Sequence, residues 1–340
     1  MTDEILVSYI LPCYNTGLYI KQCIESLYRQ GLDEKQFEVI FVNNATEDNS
    51  EEIVFEIRKH HSNFIYIKLE ENICAGGAYN TGLKVARGRY VQFVDSDDYL
   101  KDNVIQDIIH KMSDNNLDVL YFNIESFKNI GDLTNEDNLP FNGNFISCIN
   151  STDGEGIIQS YLKERKFTTF PVPAYRKMIR RKFLTESNIL FSHTTIGCDY
   201  LHNQKLLTTA NRIAAVNTKV YMFRYNPNGV TKSKPTITKL IYALDNYSNA
   251  YILLDKCGFS VNTKNIIANG LIAVINAYVG SLKYMSYSER LKVISGVSDI
   301  CTVRNVTKGV LNKFLIQRSC INKWIFSSGM FNVISSLINR

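Results

Sequence analysis

The sequence predicts an α/β protein, with a mostly parallel central sheet flanked by helices in its first part and a helical C-terminal region after it. Three observations carry this expectation. Between Ile5 and Asn123, β-rich runs alternate with segments whose apolar residues recur at 3.6-residue spacing, and strands separated by helices pair in parallel. From Ile237 onwards the period is helical, in a stretch rich in Tyr, Asn and Lys. Finally, the apolar run Tyr90 to Val94 leads straight into Asp95, Asp97 and Asp98. That gathers carboxylates at the carboxyl edge of a sheet, where open α/β folds hold their ligands.

The elements follow in order. Ile5 to Leu11 is a strand, and Ile20, Cys23, Ile24, Leu27 and Tyr28 mark one face of a helix. Strands at Phe37 to Val42 and Phe64 to Lys68 bracket a helix over Glu51 to Lys59. Gly77 to Ala86 is helical, Tyr90 to Val94 a fourth strand, and Val104, Ile105, Ile108, Ile109 and Met112 line the next helix. Val119 to Asn123 reads as a fifth strand, Lys128 to Ser151 as a long loop, and Lys219 to Tyr225 as an isolated strand. Lys232, Lys234 and Pro235 interrupt the pattern, which sets domains of 1–232 and 233–340.

Composition narrows the class. The chain has 340 residues, 45% of them hydrophobic, enough for a large core. Its formal charge of +5 is too small to imply a nucleic-acid partner. From Cys301 onwards Arg304, Lys308, Lys313, Arg318, Lys323 and Arg340 face no acidic residue, and this tail accounts for the excess. The eight cysteines are scattered, without the spacing of a zinc site, so reduced thiols in a cytoplasmic protein are expected. No basic n-region precedes an apolar signal segment at the N-terminus, and the apolar stretch Ile266 to Met285 is interrupted by Asn269, Asn276 and Lys283, so it reads as a packed helix.

Carboxylates as close as Asp95, Asp97 and Asp98 raise one another's pKa unless a cation intervenes. A hard ion such as Mn²⁺ or Mg²⁺ is commonly held by one or two carboxylates together with substrate phosphate oxygens. The plain alternative is a turn in which Asp97 or Asp98 caps a helix beginning near Asp102.

Four segments together resemble the family two glycosyltransferases of the GT-A fold. They are VSYILPCYNTGLYIKQCIESL, FEVIFVNNATEDNSEEI, ENICAGGAYNTGLKVARGRYVQFVDSDDYL, and the pair KMIRRKFL and FRYNPNGVT, which together span roughly residues 1–232. The resemblance implies a GT-A nucleotide-binding domain that moves a sugar, with inversion, from a nucleotide-diphosphate donor to a hydroxyl of a glycan or lipid-linked acceptor. UDP-sugars are the first expectation, in bacterial surface-polysaccharide assembly such as capsule or lipopolysaccharide.

By resemblance, Asp95 and Asp97 form the Asp-x-Asp motif. The first contacts ribose or metal-bound water and, with the second, belongs to the Mn²⁺ or Mg²⁺ site, while Ser96 between them joins the donor-binding set. Pro12, Tyr14 and Asn15, in the turn after the first strand, flank the base, although Pro and Asn also suit any turn. Asn44 stands where relatives carry an Asp that binds uracil, and Tyr79-Asn80 where relatives carry Arg-Asn. An Asn still accepts and donates, but neither Asn44 nor Tyr79 brings charge to the base. Asp199 matches the second member of the family's Glu-Asp pair, which supplies the general base; Cys198 replaces the Glu, and a helix N-cap is the alternative role. Arg224 matches a basic position near the diphosphate or acceptor loop, with a surface salt bridge as the alternative. His193 and His202 flank this region as structural residues or acceptor contacts.

In the basic tail, Val306, Val310, Leu311, Phe314 and Leu315 share a helical face beside Lys308, Lys313 and Arg318, ahead of Trp324. Such a segment suits peripheral contact with the inner face of the cell membrane, or a helix packed with its basic face solvated. Two other functions fit parts of the pattern. One is a nucleotide-sugar-binding module with impaired turnover, suggested by Asn44, Tyr79 and Cys198. The other is a metal-dependent phosphatase using Asp95 as nucleophile, whose motif, however, usually follows the first strand.

Overall fold

The computed structural model describes residues 4–127, 156, 173–226, 229, 236–261 and 263. The chain divides into two compact units, Met1–Ser233 and Lys234–Arg340.

In the first unit the elements are β1 (Val7–Cys13), α1 (Ile20–Tyr28), β2 (Phe37–Asn43), α2 (Ser50–Arg58), β3 (Phe64–Lys68), α3 (Cys74–Val85), β4 (Tyr90–Phe93), β5 (Tyr99–Leu100), α4 (Ile105–Asp114), β6 (Val119–Phe127), β7 (Lys177–Arg180), α5 (Arg181–Glu186), α6 (Cys198–Thr209) and β8 (Ile213–Arg224). In the second, α7 (Ile237–Lys256) starts at Thr236, whose side chain accepts from the Lys239 N–H. Among the described residues no helix is long and apolar enough to cross a membrane.

The strands form one eight-stranded sheet in the order β3-β2-β1-β4-β7-β6-β8-β5. The first four are parallel. The expected mostly parallel sheet is found, with β6 and β8 also parallel, but β7 enters antiparallel between β4 and β6, and β5 pairs antiparallel with β8. Both departures come from strands the periodicity did not show. β7 is four residues inside the basic run KMIRRKFL, and β5 only two. β6 runs on to Phe127, and β8 begins at Ile213 with two register shifts against β6, so the segment from Lys219 is only its second half.

Val7, Tyr9, Leu11 and Cys13 point to one face of β1 and pack with Ile20, Cys23, Ile24 and Leu27 of α1 and Ile105, Ile108, Ile109 and Met112 of α4. The opposite face is covered by α3, and there Gly82 is obligatory for space: a Cβ on it would lie 2.4 Å from Ile10 Cγ2. Register sets the ligand edge. β1 and β2 stay paired from Val7↔Phe37 to Cys13↔Asn43, whereas β4 is paired with β1 only as far as Phe93 opposite Ile10. The acids that follow therefore sit beside the turns that leave β1 and β2.

The helix-cap reading of the acidic turn is corrected. β5 intervenes before α4, which starts after Val104 without a side-chain cap. The expected loop over Lys128 to Ser151, the helix over Ile266 to Met285 and the basic tail lie outside the described residues.

Substituting Gly82→Ala should lower unfolding free energy by about 1–3 kcal/mol, the cost of overfilling a packed interior, because Ile10 is β-branched and cannot swing aside. Urea denaturation checks this.

Candidate active site

The turns after β1 and β2 are stitched together at the carboxyl edge. Asn15, with φ 55°, accepts at Oδ1 from Thr46 Oγ1 and the Glu47 N–H, and its own N–H donates to Thr46 Oγ1 at 2.7 Å. Asp48 accepts from the Gly17 N–H at 2.7 Å and the Ser50 N–H at 3.0 Å. Burial acts upward on this carboxyl, but the bonds from Ser50, Gly17 and Thr46 outweigh it and hold it below the usual carboxylate range. Tyr14 is 41% exposed and Pro12 is buried beneath it.

Asn44 is turned inward. Its Nδ2 donates to Asn72 Oδ1 at 3.1 Å and its Oδ1 accepts from the Ile73 N–H at 3.0 Å, which ties the second turn to the approach of α3. Asn80 performs a similar bridge, donating to Phe191 O at 2.9 Å and accepting from Phe191 N at 3.0 Å. It thereby fixes the segment that leads into α6. A Cβ on Gly76 would lie 2.2 Å from Ser192 O, so only glycine lets α3 approach that segment.

The three acids differ sharply. Asp95 is half-buried; its backbone N–H donates to the Tyr221 hydroxyl at 2.9 Å, and its Oδ1 accepts from the Tyr79 hydroxyl. Burial, then the charge of Asp97, push its carboxyl up to about 7. Asp98 is buried and accepts from the Arg224 N–H at 2.6 Å. Burial, then Asp97 and Asp95, hold its carboxyl well above the usual range. Asp97 is half-buried, with Oδ2 accepting from Asn226 Nδ2 at 3.0 Å. Ser96 is buried and accepts from Thr16 Oγ1 at 2.9 Å.

Arg224 is buried between the rings of Tyr19 and Phe127, its guanidinium carbon 4.7 and 4.6 Å from their centroids. Nε donates to the Asp97 carbonyl at 2.8 Å and Nη2 to Gln22 Oε1 at 2.6 Å. Among the described residues it forms no salt bridge; it braces the acidic turn.

Asp199 occupies the first turn of α6. The N-cap is Gly197 at φ 81°, with no side-chain cap bond, so Asp199 does not cap its own helix. The Cys198 thiol donates to its Oδ1 at 3.7 Å. Burial raises the Asp199 carboxyl, while Lys177, Cys198 and the Ala174 N–H act the other way. The charge of Asp199 acts upward on both the Tyr79 hydroxyl and the Asp95 carboxyl. Tyr79 itself is buried against Phe93 and Phe191, with ring centroids 4.9 and 5.1 Å away. His193 is exposed, and His202 is buried and stacked on Phe191 at 3.7 Å with no hydrogen-bond partner for either ring nitrogen.

Among the described residues no three His, Cys, Asp or Glu side chains converge as a closed metal cage. The donor set fits an open site instead. Asp97 and Asp95 offer carboxylate oxygens at the crevice edge, whereas Asp98 is committed inward. Sequence reasoning missed Thr16, Gln22, Lys177 and Tyr221. Lys177 and Tyr221 lie in or next to quoted segments, but nothing local marks either as buried.

The model of the family described as "Glycosyl transferase family 2" matches residues 8–186. An uncharacterized glycosyltransferase, EpsJ of Bacillus subtilis, is 31% identical over 228 residues, 67% of this chain and 63% of that protein. The poly(ribitol-phosphate) beta-N-acetylglucosaminyltransferase TarS of Staphylococcus aureus is 27% identical over 65% of this chain and 36% of its own length. The chain thus spans less than two thirds of either relative. A crystal structure of TarS 1-349 with UDP-GlcNAc shares the fold at a TM-score of 0.68, with 21% identity over 90% of this chain and 83% of that one. A mannosyltransferase from Pyrobaculum calidifontis, in complex with GDP-Man and Mn²⁺, does so at 0.53, with 14% identity over 92% and 84%.

The raised carboxyl of Asp95 makes a prediction of unusual sign. Its proton is favoured in the folded state, so its contribution to stability is complete below the unfolded value of 3.8 and is lost as pH rises through about 7. Asp95→Asn should therefore melt above the wild type at pH 8, with the gap closing towards pH 4; thermal denaturation at the two pH values measures it. With the family model matching residues 8–186, more than half of its length, the chain belongs to glycosyl transferase family 2.

Proposed function

We propose that the protein is an inverting, metal-assisted glycosyltransferase that moves a sugar from a nucleoside-diphosphate donor, UDP-linked in the first instance, to a hydroxyl of a glycan or lipid-linked acceptor. The observation that carries this reading is the acidic turn at the carboxyl edge of the sheet, held by Tyr221 and Arg224 beside the turns that leave β1 and β2. A reaction of this kind needs a charge-handling group at the diphosphate and a proton acceptor on the opposite side of the anomeric carbon.

In this reading the turn Pro12 to Asn15 borders the nucleoside, with Tyr14 as the exposed ring available for stacking. Asn44 and Asn80 act indirectly, because their amides are spent in holding the walls of the crevice. Asp97 and Asp95 would hold Mn²⁺ or Mg²⁺, which when bound supplies Lewis-acid stabilisation of the departing diphosphate. Tyr79 fixes the rotamer of Asp95, Thr16 holds Ser96, and Arg224 fixes the backbone of Asp97. Asp199 takes the proton of the acceptor hydroxyl as the new bond forms; a half-buried carboxylate with a raised pKa is suited to that task. The domain division at about 232, a cytoplasmic location and contact of the basic tail with a membrane belong to the same proposal. TarS, whose partner in the crystal is UDP-GlcNAc, supports the choice of UDP and a bacterial envelope acceptor.

Incubation with Mn²⁺ and a panel of nucleotide sugars should release nucleoside diphosphate. Asp97→Asn should lower the rate about 100-fold or more, since several kcal/mol of charge stabilisation is at stake. Asp199→Asn should lower kcat by about 10² to 10⁴ while leaving nucleotide-induced thermal stabilisation intact. Orthophosphate release from a phosphomonoester would favour a phosphatase instead, and nucleotide binding with no release under any pairing would favour a binding module.

A further inference from the structure

Each carboxylate of the Asp95 and Asp97 pair has one oxygen taken by a neutral donor. The Tyr79 hydroxyl donates to Asp95 Oδ1, and Asn226 Nδ2 donates to Asp97 Oδ2 at 3.0 Å. Among the described residues the second oxygens, Asp95 Oδ2 and Asp97 Oδ1, have no hydrogen-bond partner.

Both donors are anchored. The Tyr79 ring is buried and clasped by Phe93 and Phe191, which leaves its hydroxyl little freedom to follow a turning carboxylate. Asn226 follows Arg224 by two residues, and Arg224 Nε holds the Asp97 carbonyl at 2.8 Å, so the two short segments are joined at backbone and side chain. Asp95 is tied in the same double way, by its N–H to the Tyr221 hydroxyl and by its Oδ1 to Tyr79. Neither acid can turn both oxygens towards one ion without breaking a hydrogen bond.

That constraint separates cations by size. Ca²⁺ takes about six to eight oxygens in flexible geometry and accepts both oxygens of one carboxylate. Mg²⁺ demands a near-ideal octahedron, filled by one or two carboxylates, phosphate oxygens and waters, and Mn²⁺ shares its octahedral oxygen sites. We propose that Tyr79 and Asn226 are positioning residues that hold Asp95 and Asp97 to one offered oxygen each, and thereby set the site's choice of a small octahedral cation over Ca²⁺. The inference rests on the reading of Asp95 and Asp97 as cation ligands. A phenol and an amide suit the task, since each donates a hydrogen bond without adding a positive charge that repels the ion.

The test reads binding by the whole chain, with UDP and Mn²⁺ as probes. Free Mn²⁺ is followed by its EPR signal, UDP without protein serves as the blank, and Ca²⁺ is then added as competitor. In the wild type Ca²⁺ should displace Mn²⁺ only at an excess of at least about tenfold. Tyr79→Phe keeps the ring and removes the hydroxyl, and Asn226→Ala removes the amide. In each, Mn²⁺ should bind about 10- to 100-fold more weakly, the usual cost of losing an outer partner of a metal ligand. Ca²⁺ gains a second carboxylate oxygen and should not weaken, so the excess of Ca²⁺ required should fall at least about tenfold.

A merely structural role lowers both affinities alike, so an unchanged ratio overturns the role of the residue replaced. Where a variant does not fold, the wild-type competition decides: Ca²⁺ that matches Mn²⁺ at equal concentration overturns the proposal. Failure of the wild type to bind Mn²⁺ above the UDP blank overturns the cation site itself, so the two failures are distinguishable.

Discussion

The hydrogen bond from the Asp95 backbone N–H to the Tyr221 hydroxyl ties the acidic turn to β8, on the far side of β7 and β6 in the sheet. The remaining polar geometry of the crevice follows from that tie. β8 ends in Arg224, whose N–H holds Asp98 and whose guanidinium holds the Asp97 carbonyl. With Asp95 held at its N–H, Asp97 at its carbonyl and Asp98 at its carboxyl from one strand, the side chains of Asp95 and Asp97 are left at the edge. The Tyr221 ring is itself backed by Tyr175 at 4.3 Å in a stacked pair, so the tie rests on the 3₁₀ turn Ala174–Arg176.

That arrangement gathers unfavourable electrostatics at the crevice. Asp95, Asp98 and Asp199 all have carboxyls raised chiefly by burial, which means that each would be more easily ionised in the unfolded chain. A protein selected for stability alone would replace them with neutral groups of similar shape; keeping them is the usual cost of a site poised to bind charge. The interior of α6 extends the same pattern, with His202 and Gln204 buried without hydrogen-bond partners for their side chains. Groups of that kind are rare in a settled core.

Much of the fold was legible because it rests on local periodicity. β3 matches its expected span, and β1, β2, β4, α1 and α2 lie within one or two residues of theirs. Pairing direction beyond β4 was not legible, since it depends on where the chain returns after residue 172, and a four-residue strand made of Lys, Met, Ile and Arg carries no period. The site divides in the same way. The carboxylates of Asp95, Asp97 and Asp199 could be named from their segments, but the direction of a side chain beside a turn depends on single dihedrals. Asn15 and Ala45 both have positive φ, and with the backbone so turned, the Asn44 amide runs inward to Asn72 and Ile73 and not to the open crevice. Tyr79 likewise reads as a surface-capable ring, yet Phe93 and Phe191 enclose it and leave its hydroxyl one destination.

The balance of charge within the crevice bears on why a cation belongs to the proposed chemistry. A nucleoside diphosphate arriving at this edge brings negative charge to a turn that already holds three acids. Among the described residues Arg224, the cation that braces that turn, is committed: it spends Nε and Nη2 on the Asp97 carbonyl and Gln22 between two aromatic rings. An arginine in the place of Tyr79 would have added a positive charge beside Asp95; the phenol adds only a donated hydrogen bond. Loss of that charge leaves repulsion between carboxylates and diphosphate that water screens weakly in a narrow, partly buried space. In the proposed reading Asp97 and Asp95 would hold a divalent ion, whose charge would offset that repulsion and favour the ionised form of Asp95.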